Sequence, residues 1–262
     1  MFILLGACGA EQYTYSYTAY VDLADEATAS ESMSVTQDET ITEDTGSSAV
    51  DILEDPYCPE GMVSVRDSSE QPVYCIDRFE IVIVGEELGN ADQGTSWPDG
   101  STLAYAQSVY DVAPSTHFSW YQAVALCQNA GKYLCTTQEW VDACDGLYGS
   151  GGFNFPYGNS WETGRCAARL GAEAQYYEAP QSTGSLTECV SAWGTYDQIG
   201  NIWEWTDPMM EDDEGRPLTH KIGASYYSGG GNIQCGSSPV SNHAPEFSGI
   251  IGARCCAVPL DY

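Results

Sequence analysis

FSWYQAVALCQNAGKYLCTTQEWVDAC, residues 118–144, contains the start signals of two helices. Ser119 and Gln122 form a capping box, in which a hydroxyl group and an amide three residues later satisfy the first backbone N–H groups of a helix. Thr136 and Glu139 repeat this pattern. Apolar residues follow each box at helical spacing, and a glycine comes after each run. The stretch therefore predicts two short amphipathic helices that face a common core.

Strand signals lie on both sides of this helical stretch. The run VYCIDRFEIVIVG, residues 73–85, is rich in β-branched and aromatic side chains and predicts a strand, either in an early hairpin or at the edge of a sheet. GASYYS (residues 223–228) and GIIGARCCAV (residues 249–258) predict brief strands between turns. Gly, Asn and Pro are dense after Gly146, which indicates long irregular loops. The predicted fold class is α+β, loop-rich, with two short helices and small antiparallel sheets.

Charge and cysteine content restrict the partners and the compartment. The chain has 38 acidic and 8 basic residues, and its formal net charge is -30. Such a surface repels polyanions, so nucleic acid is not an expected partner. Eleven cysteines indicate an oxidising compartment, where they can form bridges. Zinc binding is the competing use, but there is no CxxC pair, and the chain has only 3 His.

The N-terminus resembles the end of a bacterial lipoprotein signal. The letters LGAC place Cys8 at the acylated position, so residues 1–8 are interpreted as a remnant signal and lipobox. The apolar run is short and lacks a basic region, which leaves a wrongly assigned start or chance as the alternative. Removing Cys8 leaves an even number of cysteines for internal bridges. We therefore expect an exported, periplasmic or outer-surface lipoprotein attached to the membrane through lipid on Cys8.

Composition divides the rest of the chain at residue 57. Residues 9–56 contain no Lys or Arg and show no hydrophobic period, so they are interpreted as an acidic disordered tether. The alternating tyrosines near its start leave open an alternative, in which they add an edge strand to a partner. Residues 57–262 carry the remaining cysteines and most of the aromatics, with no second polar linker. They are interpreted as one domain.

Seven segments of this domain occur in a recognisable order. They are CPEGMVSV, YCIDRFEI, the helical stretch quoted above, FPYGNSW, TYDQIGNIWEWTD, GASYY and GIIGARCC. In this order they resemble the signature segments of the formylglycine-generating enzyme family, also called the sulfatase-modifying factor domain. The resemblance covers about residues 57–257. It implies a compact α+β fold related to the C-type lectin, with little regular structure and bound calcium.

The resemblance also implies part of the disulfide framework. It pairs Cys127 with Cys255, and Cys144 with Cys235. Proximity in sequence favours Cys58–Cys75. The remaining cysteines leave the connectivity open, with Cys166–Cys189 and Cys135–Cys256 as the preferred pairs.

A calcium site is expected in the segment YDQIGNIWEW. Calcium takes six to eight oxygen ligands from carboxylates, backbone carbonyls and water. In an extended segment, the Glu204 carboxylate and the Gly200 and Ile202 carbonyls share one side, and Asp197 reaches across the turn. The resemblance assigns these four positions to calcium. The alternative is that Trp203 and Trp205 are core residues and Glu204 pairs with an arginine.

The resemblance implies copper(I) chemistry that this sequence does not support. Oxidases of the family bind the ion through two cysteines five residues apart, and these positions are Ser228 and Ile233 here. Copper is therefore not expected, although Ser225, Tyr226 and Ser228 match the segment that lines the family's cleft.

Two functions follow. The favoured one is a calcium-stabilised binding module whose loop aromatics, Trp193, Phe153, Phe155, Tyr226 and Tyr227, contact a protein or glycan at the cell surface. The alternative is an oxidoreductase of this family that acts on a peptide or a small thiol.

Overall fold

The computed structural model describes residues 54–85, 104–149, 151–170, 177–228, 233–243 and 248–260. Within these ranges, no helix has both the length and the apolar composition needed to cross a bilayer. The predicted signal segment, Cys8 and nearly all of the predicted tether lie outside the described residues.

Two helices, α1 (Trp120–Asn129) and α2 (Thr137–Asp145), begin where the capping pattern predicts. Ser119 and Thr136 are the N-cap residues. Each cap side chain accepts a hydrogen bond from the backbone N–H three residues later, and the side chain of that later residue accepts one from the cap N–H. Both helices bury an apolar face. The prediction of two short amphipathic helices is therefore confirmed.

The strands are short and spread along the described chain. They are β1 (Met62–Arg66), β2 (Pro72–Asp77), β3 (Ile81–Val84), β4 (Tyr105–Ser108), β5 (Tyr133–Leu134), β6 (Trp203–Glu211), β7 (Pro217–Ile222), β8 (Val240–His243), β9 (Ile251–Ala253) and β10 (Cys255–Ala257).

These strands form two four-stranded sheets and one separate pair. The first sheet has the order β1-β2-β10-β5, and all of its neighbouring strands are antiparallel. The second has the order β8-β7-β6-β9, in which only the contact between β6 and β9 is parallel. β3 pairs with β4. The predicted α+β class with small sheets is confirmed, with this one parallel contact as a departure from the antiparallel pattern.

The single strand predicted over residues 73–85 is in fact two strands, β2 and β3, because the chain turns between them. The Arg78 N–H donates to the Gly61 carbonyl at 3.0 Å, and the Arg78 carbonyl accepts from the Tyr196 N–H at 2.8 Å. Both backbone groups of Arg78 are therefore used in contacts with other segments, and β2 ends at Asp77. Two residues later, the Glu80 side chain is fully buried. The prediction of one continuous strand is therefore wrong, whereas the predicted early hairpin does form, between β1 and β2.

Residues 223–228 do not form the brief strand that the sequence predicts. β7 ends at Ile222, and Gly223 and Ala224 then adopt positive φ angles of 94° and 70°. A Cβ atom on Gly223 would lie 2.7 Å from the Gln198 carbonyl oxygen, so the close approach requires glycine here. The segment is a turn. The strands predicted within residues 249–258 do form, as β9 and β10.

Five disulfide bridges hold the domain together. They join the three pairs named from the resemblance and from proximity, and the two pairs preferred for the remaining cysteines. They are Cys58–Cys75, Cys127–Cys255, Cys135–Cys256, Cys144–Cys235 and Cys166–Cys189. The two adjacent cysteines of β10 tie this strand to α1 and to the residue before the N-cap of α2. The last strand therefore links the first sheet to both helical segments.

Candidate functional site

The candidate cleft is the turn after β7, residues 223–228, which we call the β7 turn. Ser225 is buried, and its N–H donates to the Ser228 hydroxyl oxygen at 3.1 Å. The two hydroxyl oxygens are 2.9 Å apart. The Tyr226 N–H donates to the Asn201 carbonyl at 2.8 Å. The two serines therefore hydrogen-bond to each other, and the turn is fixed to the segment that contains Asn201.

The two positions at which the resemblance places copper thiolates hold a hydroxyl group and a core side chain. Ser228 is the first of them. Ile233, the second, is 4% exposed and packs with Trp140 in a cluster that includes the Cys144–Cys235 bridge. All ten cysteines of the described ranges are in bridges. Neither position can supply a thiolate, and two thiolates are what a linear copper(I) site needs.

The loop aromatics differ in their exposure. Tyr227 is 63% exposed, and Phe153 is also exposed. Phe155, by contrast, is buried and stacks on Tyr157. Trp193 is half-buried, and its indole N–H donates to the Asp142 carbonyl at 3.2 Å. The prediction that all of these aromatics are recognition residues is therefore wrong for Phe155, which is a core residue, and Trp193 is held mainly by the domain.

An ion pair between Arg254 and Glu204 lies in the core, with side chains 0% and 1% exposed. The guanidinium Nη2 and Nε donate to the two carboxylate oxygens at 2.9 and 3.0 Å. The Trp140 indole N–H donates to the same carboxylate at 2.7 Å. The other guanidinium hydrogen bonds go to three backbone carbonyls, those of Asp77, Arg78 and Tyr196. Arg254 thus joins β2, β6 and the loop before β6.

Two more carboxyl groups are buried close to this pair. Glu80 accepts from the Asn201 side-chain amide at 2.6 Å and from the Ile202 N–H at 3.3 Å. Asp197 accepts from the Gly184 N–H at 2.6 Å. Burial raises the pKa of both groups, that of Asp197 to about 7, and the negative charges of Asp197 and Glu204 raise the pKa of Glu80 further. Three carboxyl groups therefore share one guanidinium, which favours proton uptake by two of them.

The predicted calcium ligands are arranged differently from the expectation. Gly200 and Asn201 have positive φ angles of 86° and 54°, so the segment is extended only from Trp203 onward. A Cβ atom on Gly200 would lie 2.2 Å from the Ala167 carbonyl oxygen.

The donor set does not fit a cation at Glu204, because both of its oxygens already accept from Arg254. In the described ranges, no three His, Cys, Asp or Glu side chains are grouped to hold a metal ion. Calcium at Asp197, Gly200, Ile202 and Glu204 stays a prediction.

Because burial raises the pKa of these carboxyl groups, we expect the domain to become less stable as pH rises from 5 to 8. The folded-state pKa of Asp197, about 7, lies above the ordinary value of 3.8, so the folded state binds this proton more tightly than the unfolded state does. The stability that this proton contributes is fully present below pH 4 and is lost as pH rises through 7. In chelator-treated protein, we expect the melting temperature to fall between pH 5 and pH 8. Asp197→Asn should make this fall shallower, whereas Asp213→Asn, on the exposed turn between β6 and β7, should not. Identical pH profiles for the three proteins would contradict the assignment.

The capped helices, the five bridges and the β7 turn are parts of one disulfide-stapled α+β domain. The family described as "Sulfatase-modifying factor enzyme 1-like domain" matches residues 29–256. This match covers most of the chain, and the chain belongs to this family. It begins within the stretch that composition assigns to the tether.

The chain is similar to both active and inactive relatives. It is 27% identical over 195 residues to the formylglycine-generating enzyme of Mus musculus, covering 63% of this chain and 50% of that protein. It is 29% identical over 153 residues to the inactive C-alpha-formylglycine-generating enzyme 2 of Bos taurus, covering 55% of this chain and 50% of that protein. The solved structure of CarF has a TM-score of 0.46 and 14% identity, covering 79% of this chain and 96% of CarF. The chain spans about half the length of these two curated relatives.

The alternative to calcium in the sequence analysis, an arginine paired with Glu204, matches the observed Arg254–Glu204 pair. Sequence reasoning did not identify Arg254 as that arginine, and it missed Glu80 as a buried member of the same cluster. A signal for each was present in the sequence. Glu80 is the one charged residue in the run FEIVIV, residues 79–84, and Arg254 is the one charged residue in GIIGARCCAV. A charge within an apolar strand is rarely buried without a partner. That rule could have predicted buried ion pairing, although it could not have identified the partners.

Proposed function

We propose that this chain is an exported binding module, attached to a membrane through lipid on Cys8, that holds a protein or glycan ligand at the β7 turn. The observation that carries the proposal is the composition of this turn. Ser228, the last residue of the turn, and the buried Ile233 beyond it occupy the positions of the expected thiolates, while Tyr227, the residue before Ser228, is exposed. The similarity to a bovine relative named as inactive supports a role without catalysis.

Tyr227 has the properties of a recognition residue. The Arg169 guanidinium lies 4.7 Å from the centre of its ring, and the Tyr226 ring contacts it edge-on with the ring centres 6.4 Å apart. These contacts restrict the ring, which nevertheless stays 63% exposed. An aromatic ring held in place offers large contact area at a small loss of conformational entropy. The β7 turn therefore supports binding of a protein loop or a sugar ring.

The test is a binding screen that compares two tyrosine variants. Wild type, Tyr227→Ala and Tyr105→Ala are applied to glycan arrays and to a displayed peptide library. Tyr105 is an exposed tyrosine on β4 and serves as the matched control. We expect ligands selected by wild type to bind Tyr227→Ala about ten-fold or more weakly, because truncating an aromatic residue at the centre of an interface costs upward of about 1.4 kcal/mol. Ligands that bind all three proteins equally would contradict the β7 turn as the binding site.

The competing function is an oxidoreductase of the same family acting on a peptide or a small thiol. It requires a soft-metal site in this chain. Copper(I) titration of the purified protein, together with quantitation of thiols in the denatured state, separates the two functions. Tight stoichiometric binding with two free thiols would favour the enzyme, whereas weak binding with the domain cysteines oxidised would favour the binding module.

We also propose that calcium stabilises the domain, with Asp197 as the carboxylate ligand. The excess of buried negative charge around Arg254 supports it, and the occupied oxygens of Glu204 oppose it. At pH 8, added calcium should raise the melting temperature by roughly 3–6 °C relative to protein in chelator. The gain should be smaller in Asp197→Asn. Equal melting temperatures with calcium and with chelator would remove calcium from the proposal.

Export and lipid attachment complete the proposal. The five bridges are compatible with an exported protein, because such bridges persist in oxidising compartments. Mass spectrometry of the protein from native membranes should find a diacylglyceryl group on Cys8. An unmodified Cys8, or a mature N-terminus elsewhere, would contradict the anchor.

A further inference from the structure

A pocket of about 360 Å³ lies between β2, β5 and α2. Three tyrosines, Tyr74, Tyr133 and Tyr148, line it together with two carboxylates, Glu139 and Asp142. It shares no lining residue with the β7 turn. We call it the tyrosine–acid pocket.

The two carboxylates are held in fixed positions by neutral donors. One oxygen of Glu139 accepts from the Tyr133 hydroxyl at 2.7 Å, and the other accepts from the Thr136 N–H and hydroxyl, both at 2.8 Å. The Asp142 oxygens accept from the Gln138 amide at 2.7 Å and from the Gly149 N–H at 3.2 Å. These bonds fix the carboxylates in place, but they do not neutralise the charges.

The pocket carries negative charge that no described cation balances. None of the ion pairs within the described ranges involves Glu139 or Asp142. The negative charge also acts on the Tyr74 hydroxyl group. Burial raises the pKa of this tyrosine, and the charges of Asp142 and Glu139 raise it further. A cation entering the pocket would therefore be attracted by both carboxylates.

The remaining walls indicate which kind of cation fits. Tyrosine faces attract cations through their ring quadrupole, and guanidinium groups stack on such faces better than hydrated ammonium groups do. The edge of a guanidinium carries N–H donors, and three of the four carboxylate oxygens, those that accept a single bond from a neighbouring donor, can accept a second hydrogen bond. We propose that the tyrosine–acid pocket binds the guanidinium group of an arginine side chain, with Tyr148 at its exposed rim and Glu139 and Asp142 as acceptors.

Two isosteric probes test the proposal on the intact chain. N-acetyl-arginine amide carries the guanidinium, and N-acetyl-citrulline amide has the same shape without the charge. Titration followed by amide chemical shifts should show the arginine probe binding at least about ten-fold more tightly than the citrulline probe, as expected for two fixed carboxylates and an aromatic wall. The shift changes should map to β2, β5 and α2.

Three variants check the assignment to this pocket. Glu139→Gln removes one charge and keeps the capping box, because glutamine serves at this helix position as well as glutamate. Tyr148→Ala removes an exposed ring and leaves the core intact. Both should weaken the arginine probe about five-fold or more, whereas Glu60→Gln, an exposed carboxylate outside the pocket, should leave its affinity unchanged.

Several outcomes would overturn the proposal. These are equal affinity for the two probes, shift changes that map outside the pocket, or unchanged affinity in both pocket variants. Because the mapping uses only the wild-type chain, it decides the question even if a variant folds poorly. The proposal is independent of the β7 turn, since loss of ligand binding in Tyr227→Ala would leave the arginine probe unaffected.

Discussion

Arg254→Met is expected to lower the free energy of unfolding by about 3–5 kcal/mol, because it leaves a carboxylate buried without its cation. Glu204 would lose both guanidinium hydrogen bonds, and Glu80 and Asp197 would lose the nearest positive charge. Three backbone carbonyls would lose donors at the same time. Methionine has a similar length and an apolar character, so the change creates little empty space. Chemical denaturation at pH 7 measures the loss.

Arg216→Met is the matched control for this effect. Arg216 forms ion pairs with Asp212 and Glu214, but its side chain is 57% exposed. Surface pairs of this kind contribute about 0–1 kcal/mol. If the two variants lost equal stability, the role assigned to the buried pair would be wrong.

Removal of the Cys127–Cys255 bridge by replacing both cysteines with alanine is expected to cost about 3 kcal/mol. The bridge spans 128 residues in sequence, but the Cys135–Cys256 bridge stays closed in this variant. Cys127–Cys255 therefore closes a ring of only about 10 residues, and the chain-entropy model relates the cost to the length of that ring. Replacing both residues avoids a free thiol that could form a wrong pair. Denaturation of the oxidised variant measures the loss.

The Cys58–Cys75 bridge provides the comparison, since it spans only 17 residues. The same model gives a cost of about 3 kcal/mol for its removal. We therefore expect similar losses from the two variants, and a loss near 5 kcal/mol at Cys127–Cys255 would show that the sequence span, and not the ring left by the neighbouring bridge, governs the cost.

The sequence predicts well those parts of the fold that depend on interactions between residues close together in the chain. The limits of α1 and α2 follow from two capping boxes, each complete within four residues. The break between β2 and β3 was missed because its cause is distant. The Arg78 backbone bonds to Gly61 and Tyr196, and neither contact is visible in the β-branched pattern of the run itself.

The candidate site likewise has features that follow from single residues and features that depend on distant contacts. The hydroxyl at Ser228 could be read directly from the residue type, and the structure adds its bond to Ser225. The cluster around Arg254 could not be derived in this way, because Glu204 lies 50 residues away and Glu80 contacts Asn201 across 121 residues. Residue type also does not predict burial in a loop. Phe155 is buried because its ring stacks on a neighbouring aromatic, whereas Phe153, two residues earlier, is exposed.

The adjacent cysteines of β10 have a consequence for the order of folding. Cys127 and Cys135 have their partners 128 and 121 residues later in the sequence, so these thiols cannot form their native bridges until the C-terminal strand has been synthesised. During that interval they can form incorrect pairs with cysteines that arrive earlier. We therefore expect oxidative refolding of this protein to require disulfide isomerisation, and to yield mispaired species when an oxidant acts without an isomerase.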